Sequence, residues 1–257
     1  MAKEIIRRIC DDLQMDATNL TFTSLQNDIW LVTKLHWDYL EALTFQEACV
    51  DYVYKNPHVS IFIATNHPAC LTLGRGLQKK VGDETQLIDF SDGQRNQISI
   101  PIFDIKRGGG VTFHHPGQLV IYPIVNLTHK KMKVYTLMGH VLRELSKSII
   151  ETLGHKEFDY CRDLLGLWSG PFKIASIGLQ VRRFVTFHGV ALNIFDDQLI
   201  DDTLQIVYPC GLPGTVYKSL ENLYHKNLTS FACQEILNRF TLNLENIFKE
   251  NDSCLKF

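Results

Sequence analysis

Apolar positions along this chain follow two periods. Over 134–153 the residues Leu137, Val141, Leu145 and Ile149 recur every four positions, and Gly154 follows where a helix C-cap would sit, so a helix is predicted there. Ile5, Ile9 and Leu13 predict a short amphipathic helix over 3–14. A third helix is predicted over 38–55, with Leu40, Leu43, Ala48 and Val53 among its apolar positions and Asn56-Pro57 ending it. A last one is predicted over 229–250, capped by Thr229 or Ser230, with Phe240, Leu244 and Ile247 on its apolar face. β-branched and apolar runs predict strands over 59–64, 98–105, 119–127, 174–181 and 184–194. The last two flank Arg182-Arg183 and read as a hairpin. A short strand over 204–207 leads into Pro209-Cys210-Gly211, and the polar stretch 79–97 reads as a surface loop. Helices and strands do not alternate as βαβ units, so the expected class is α+β, a mixed or antiparallel sheet packed with helices.

The 257 residues suit one large domain or one domain with a small appendage, and 45% hydrophobic with 21% charged residues is ordinary globular composition. Lys and Arg number 26 against 28 Asp and Glu. That balance argues against a dedicated nucleic-acid binder, which carries a basic excess. No apolar run approaches the ~20 residues that span a bilayer, so no membrane partner is expected. The N-terminal stretch is broken by Arg7, Arg8, Asp11 and Asp12 and reads as neither a secretory signal nor a transit peptide. Seven cysteines without a CxxC pair fit a reducing compartment. A cytoplasmic location is therefore expected.

The densest cluster of special residues is 107–122, RGGGVTFHHPGQLVIY. Gly108, Gly109 and Gly110 can adopt positive φ and admit a ligand close to the backbone. Arg107, His114 and His115 add donors and proton carriers. A glycine-rich bulge at a sheet edge would carry similar glycines. The pattern is neither GxGxxG nor GxxxxGK[ST], and a strand rather than a helix follows, so no nucleotide motif is present.

Three other segments carry candidate chemistry. Cys210, held between Pro209 and Gly211, is placed like a nucleophile at a strand end, although a free cysteine is also common core material. Lys173, in GPFKIASIG, reads either as an exposed strand start or as a cleft residue that lowers the pKa of a nearby thiol and moves protons. His188-Gly189 interrupts an apolar strand, which suggests a bulge or close contact with a ligand, while His188 also fits a satisfied core histidine. His67 and Cys70 form one His/Cys pair without a second, too little for a metal site. His114 and His115, as adjacent strand residues, would face opposite sides.

With these segments in hand, the chain resembles the octanoyltransferases of lipoate biosynthesis. The resemblance rests on Arg107, Gly108, Gly109, Thr112, Phe113, His114, Gly117, Gln118 and Tyr122; on KIASIG over 173–178; on HGVALN over 188–193; and on PCG over 209–211, in that family's order. Gly110 and His115 depart from the usual pattern. The resemblance implies the α+β catalytic domain shared by biotin and lipoate protein ligases. It divides the chain into an N-terminal extension, 1–27, and a catalytic domain, 28–257. It implies transfer of an octanoyl (or lipoyl) group from acyl-carrier protein through a thioester on Cys210, with Lys173 moving protons. The acceptors implied are lysines on lipoyl domains of 2-oxoacid dehydrogenases and on the glycine cleavage H protein. Substrate contacts would come from Arg107, Gly108, Gly109, Gly110, Val111, Thr112, Phe113 and His114, from Ser176, Ile177 and Gly178, and from Gly189, Val190 and Ala191, walling an apolar slot. No metal or cofactor is implied. An ATP-dependent lipoate or biotin ligase is the alternative on the same fold; the Cys210 turn argues against it. A binding module without chemistry is a second alternative, against which both Lys173 and Cys210 argue.

Overall fold

The computed structural model describes residues 2–75, 78–81, 84–87, 92–161, 166–198, 203 and 212–249. In chain order the elements are α1 (Ala2–Asp12), β1 (Thr21–Ser24), β2 (Ile29–Lys34), α2 (Tyr39–Lys55), β3 (Ser60–Thr65), β4 (Cys70–Leu73), β5 (Gln78–Val81), β6 (Glu84–Leu87) and α3 (Asp92–Arg95). Then come β7 (Ile102–Asp104), β8 (Val111–His114), β9 (Gln118–Ile124), α4 (Val134–Leu153), β10 (Asp159–Cys161), β11 (Gly166–Ser169), β12 (Phe172–Arg182) and β13 (Val185–Asn193). Shorter helices close the described chain at Leu220–Tyr224, Ser230–Leu242 and Leu244–Phe248.

One eight-stranded sheet, ordered β1-β2-β3-β9-β13-β12-β11-β10, forms the frame. Every pairing in it is antiparallel except β2 with β3. Its central strands bury both faces, so their apolar runs are continuous. Phe62, Ala64, Leu119 and Ile121 turn toward α4 and the Ser230–Leu242 helix. Ile61, Ile63, Val120 and Tyr122 turn toward α1 and α2. This is the side-chain alternation of a pleated strand sandwiched between two helical layers. A second sheet, β7-β4-β8, stands beside it over a small core of Leu71, Leu73, Val111 and Phe113. The mixed-sheet α+β expectation holds.

Several local expectations need correction. The stretch 79–97 is not a plain loop: it contains the β5–β6 hairpin and the turn of helix α3. Strand pairing satisfies backbone groups whatever the side chains, which is why a polar sequence hid it. Helix α2 buries Tyr39, Ala42, Phe45, Gln46, Cys49, Val50 and Val53, leaving Leu40 half exposed. Its stripe is rotated from the one read in sequence, because the polar Gln46 goes inside. The final helix stops at Leu242 and resumes as a 3-10 turn after Asn243. The hairpin turn is Arg183-Phe184, at φ 51° and 64°. A two-residue turn of this hand needs positive φ at both positions, which Asn-Gly usually supplies. Here the carbonyl of Phe184 is tethered by the Leu127 N–H at 2.8 Å. The strand expected over 204–207 lies outside the described residues.

Candidate active site

The site lies where the small sheet meets β12 and β13. Arg107 anchors that junction. Its guanidinium is buried and donates to the carbonyl of Thr72 (2.8 Å), to Thr72 Oγ1 (2.7 Å) and to the carbonyl of Gly108 (2.9 Å). The Gly108 N–H donates to the carbonyl of Leu179 at 2.8 Å, tying the loop to β12. The close approach needs glycine on both sides. A Cβ at Gly178 would lie 2.9 Å from Arg107 Cδ, and one at Gly74 would lie 2.3 Å from the carbonyl oxygen of Gly109.

A small cavity opens at this junction. Of the residues singled out in sequence, Arg107, Thr112, His114, Ser176, Gly178, Gly189, Val190 and Ala191 line it. Gly108, Gly109, Gly110, Val111, Phe113 and Ile177 do not. Strand alternation separates Thr112 and His114, which face the cavity, from Val111 and Phe113, which pack in the small core. Ile177 packs against the main core for the same reason. Tyr39, Val120, Tyr122 and His188 complete the lining. Gln118 and Tyr122, part of the glycine-rich motif, act here through hydrogen bonds.

The polar groups have defined protonation. His67 Nδ1 lies 2.8 Å from the carbonyl of Trp37 and must donate to it. Its Nε2 therefore accepts from Tyr122 OH at 2.7 Å. Both nitrogens are engaged, so His67 has none to offer a metal with Cys70. The amide of Gln118 donates to the carbonyl of Phe113 and to Asn193 Oδ1, both at 2.9 Å. Its oxygen then accepts from His114 Nδ1 at 3.1 Å, leaving His114 Nε2 as an acceptor. Burial pushes His67 down to about 4 and His188 to about 3, the charge of Arg107 adding to the second. Burial, then His67 and Arg107, holds His114 well below its ordinary value. Burial likewise raises Tyr122 well above its ordinary value. The cavity wall at neutral pH is therefore uncharged apart from Arg107. Among the described residues no group of three or more His, Cys, Asp or Glu is placed to hold a metal.

Lys173 is 1% exposed, not an exposed strand start. Strict alternation would put it on the opposite face of β12 from Ser176. A bulge changes this: Lys173, Ile174 and Ala175 of β12 stand against only Trp168 and Leu167 of β11. Gly166 pairs with Ser176, and a Cβ there would lie 2.6 Å from Lys173 Cε. Directly opposed residues share a face, so the lysine stem lies over Gly166 on the face of Ser176. Its Nζ sits 5.7 Å from the Trp168 ring centre and 5.8 Å from that of Tyr217. Tyr217 bridges Lys173, and the Lys218 N–H donates to the Lys173 carbonyl at 3.1 Å. Cys210 lies outside the described residues; the chain resumes at Leu212 and reaches Tyr217 within five residues.

His188 departs from strand geometry. Pairing of β13 with β9 stops at Val190–Ile121 and returns as the Val185–Asn126 bridge. Between them Pro123 has no N–H to give. Thr186 Oγ1 donates to the Pro123 carbonyl at 2.6 Å, and the His188 N–H goes instead to Gln46 Oε1 at 2.9 Å. His188 takes φ 58°, the left-handed region. Gly189 follows because a Cβ there would stand 2.0 Å from the Ile121 carbonyl oxygen. Gly189→Ala is expected to lower stability by about 1–3 kcal/mol through overpacking, read as a fall in thermal midpoint.

Helices on both faces of a mixed sheet give the fold of lipoate-ligase catalytic domains. A lipoate-protein ligase A bound with ATP superposes with a TM-score of 0.58 at 11% identity, covering 86% of each chain. A bipartite lipoate protein ligase with its E2 lipoyl domain from Thermoplasma acidophilum gives 0.56 at 12% identity, covering 88% of this chain and 87% of that one. Residues 38–241 match the lipoyl protein ligase A/B catalytic domain family. An octanoyltransferase of Solibacter usitatus is 35% identical over 213 residues, 82% of this chain and 89% of that protein. One of Pelobacter propionicus is 34% identical over 197 residues, 77% and 83%. The chain belongs to the lipoyl protein ligase A/B family, in its octanoyltransferase branch.

Proposed function

We propose that this protein transfers an octanoyl group from octanoyl-acyl-carrier protein to the lysine of a lipoyl domain. Cys210 thiolate attacks the donor thioester; the carrier thiol leaves with the proton of the Lys173 ammonium, and an octanoyl-cysteine thioester remains. The acceptor ε-amine attacks that thioester, its proton passes to Lys173, and the Cys210 thiolate departs. One thioester is broken and one amide formed, without ATP. The observation that carries this reading is the buried Lys173 stem, turned by the β12 bulge onto the cavity face. An ammonium there favours thiolate in a neighbouring cysteine. The described chain after Cys210, from Leu212 on, meets Lys173 at Tyr217, which supports pairing the two. Backbone N–H groups of the site are candidates to hold the tetrahedral oxyanion.

Lipoyl domains of 2-oxoacid dehydrogenases and the glycine cleavage H protein are the acceptors we assign; the archaeal ligase with its E2 lipoyl domain, alike in fold, supports that class. We read 28–257 as the catalytic unit and 1–27 as an extension; the family match over 38–241 supports this. A cytoplasmic location is supported by the free thiols of Cys10, Cys49, Cys70 and Cys233. Among the described residues no helix is long and apolar enough to cross a membrane.

Incubation with octanoyl-carrier protein and a lipoyl domain, in the absence of ATP, tests the reading. The expected result is an octanoylated lipoyl domain. Modification only with ATP and free octanoate would identify a ligase instead.

A further inference from the structure

Lys173 stands between two aromatic side chains, one on each side of it in the sheet. On one side β11 supplies Trp168, its direct ladder partner. On the other side β13 pairs with β12 only as far as Leu192 opposite Ala175. Beyond that point Tyr217 takes the place of a strand and bridges Lys173 in parallel. Residues opposed across a ladder share a face, so the rings flank the lysine stem. Nζ lies over both, 5.7 Å from the Trp168 ring centre and 5.8 Å from that of Tyr217. The Tyr217 backbone is held from two directions. The Lys218 N–H donates to the Lys173 carbonyl at 3.1 Å, and Asn193 Nδ2 donates to the Lys218 carbonyl at 3.4 Å. Tyr217 also lines a cavity whose charged groups are Asp196, Asp197 and Lys218. Burial of Lys173 strips the hydration that stabilises its charge, so burial alone favours the neutral amine. A ring face within about 6 Å attracts a cation and acts the other way. The four-carbon stem is flexible, and a ring on each side restricts where Nζ can swing.

We propose that Trp168 and Tyr217 are positioning residues of the transfer reaction: together they keep Lys173 charged and hold its Nζ where Cys210 needs a counter-ion. This rests on the transferase reading above, which requires an ammonium at Lys173 before the carrier thiol leaves. Neither ring lines the cavity at the Arg107 junction, so each acts through the lysine. A ring face is what the role needs. Phenylalanine therefore serves in place of either residue, and leucine in place of neither.

The test measures kcat/KM for octanoyl transfer and, separately, the pH midpoint for alkylation of Cys210 by iodoacetamide, read by peptide mass. Trp168→Leu and Tyr217→Leu are each expected to lower kcat/KM about three-fold or more and to raise the alkylation midpoint by about half a pH unit. Trp168→Phe and Tyr217→Phe are expected to recover most of the transfer that the leucine variants lose. In a Lys173→Met background the leucine substitutions are expected to leave the midpoint where Lys173→Met alone puts it, because no cation remains for the rings to hold. A role in packing alone would shift both backgrounds equally. Trp168 is buried; should its leucine variant not fold, Tyr217→Leu, at a half-buried position, decides the matter. Leucine variants with transfer and midpoint unchanged, or a midpoint shift that persists in full without Lys173, overturn the proposal while leaving the transferase reading intact. A wild type that transfers no octanoyl group overturns both.

Discussion

Replacing Lys173 by methionine is expected to reduce octanoyl transfer by about 10³-fold or more while the protein stays folded. The magnitude follows from losing both the charge that favours the thiolate and a positioned proton carrier, effects each worth about 10²–10⁴. Methionine is chosen because the lysine stem is packed over Gly166 between Trp168 and Tyr217. Lys173→Ala removes those contacts as well and is expected to lower stability by about 2 kcal/mol or more in addition. The pair separates chemistry from packing: both variants lose transfer, and only the alanine variant loses much thermal stability. Cys210→Ser is expected to lose transfer to the same degree, since an alcohol at that position has no comparable anion at neutral pH. A Lys173→Met enzyme that retains a tenth of wild-type transfer would remove the lysine from the mechanism.

Mild acid is expected to unfold this protein. His67, His114 and His188 are buried and neutral, and each binds its proton less readily folded than unfolded. With a native value of about 4 for His67 against ~6.5 in the unfolded chain, the unfolded state takes the proton first as pH falls. The stabilisation from His67 is complete above ~6.5 and is lost on the way down to about 4. It amounts to something on the order of 3 kcal/mol. His188, with a native value of about 3, acts with the same sign. Total stabilities run to about 5–15 kcal/mol, so two such residues decide the acid limit. On the alkaline side burial raises Cys70 to about 12. Its contribution is complete below ~9 and is lost as pH rises beyond that. Urea denaturation at pH 7.5 and at pH 5 should show a clear fall in midpoint at the lower pH. Equal midpoints would mean that these histidines carry their protons in the native state.

How much of this was legible in the sequence depends on the kind of information each residue carries. The 174–194 hairpin and the 134–153 helix were readable because apolar periodicity fixes which residues are buried, and burial is what forms them. The same periodicity misplaces Lys173, because one extra residue in β12 reverses the parity of everything before it. It also cannot place His188, whose ladder partner is cancelled by Pro123, sixty-five positions earlier in the chain, and replaced by Gln46 from another layer. A glutamine in a helix normally reads as surface, and nothing local marks this one. The partial match of the glycine-rich motif to the cavity has a similar origin. Its residues were identified together as a string, and the pleat then divides them, sending Thr112 and His114 to the cavity and Val111 and Phe113 to the small core. Tyr39 escaped notice because it comes from the start of α2, where it stacks on His114 with centroids 5.5 Å apart. Strand residues report their face through period two; contacts between layers leave no such trace.

The central claim is that the acyl group rests covalently on Cys210 between donor and acceptor. Intact-mass analysis after mixing the wild-type protein with octanoyl-carrier protein, in the absence of an acceptor domain, examines that intermediate directly. The account predicts a mass gain of one octanoyl group, mapped by peptide digestion to Cys210, and its disappearance when a lipoyl domain is added. An unmodified protein that nevertheless transfers octanoate would contradict it.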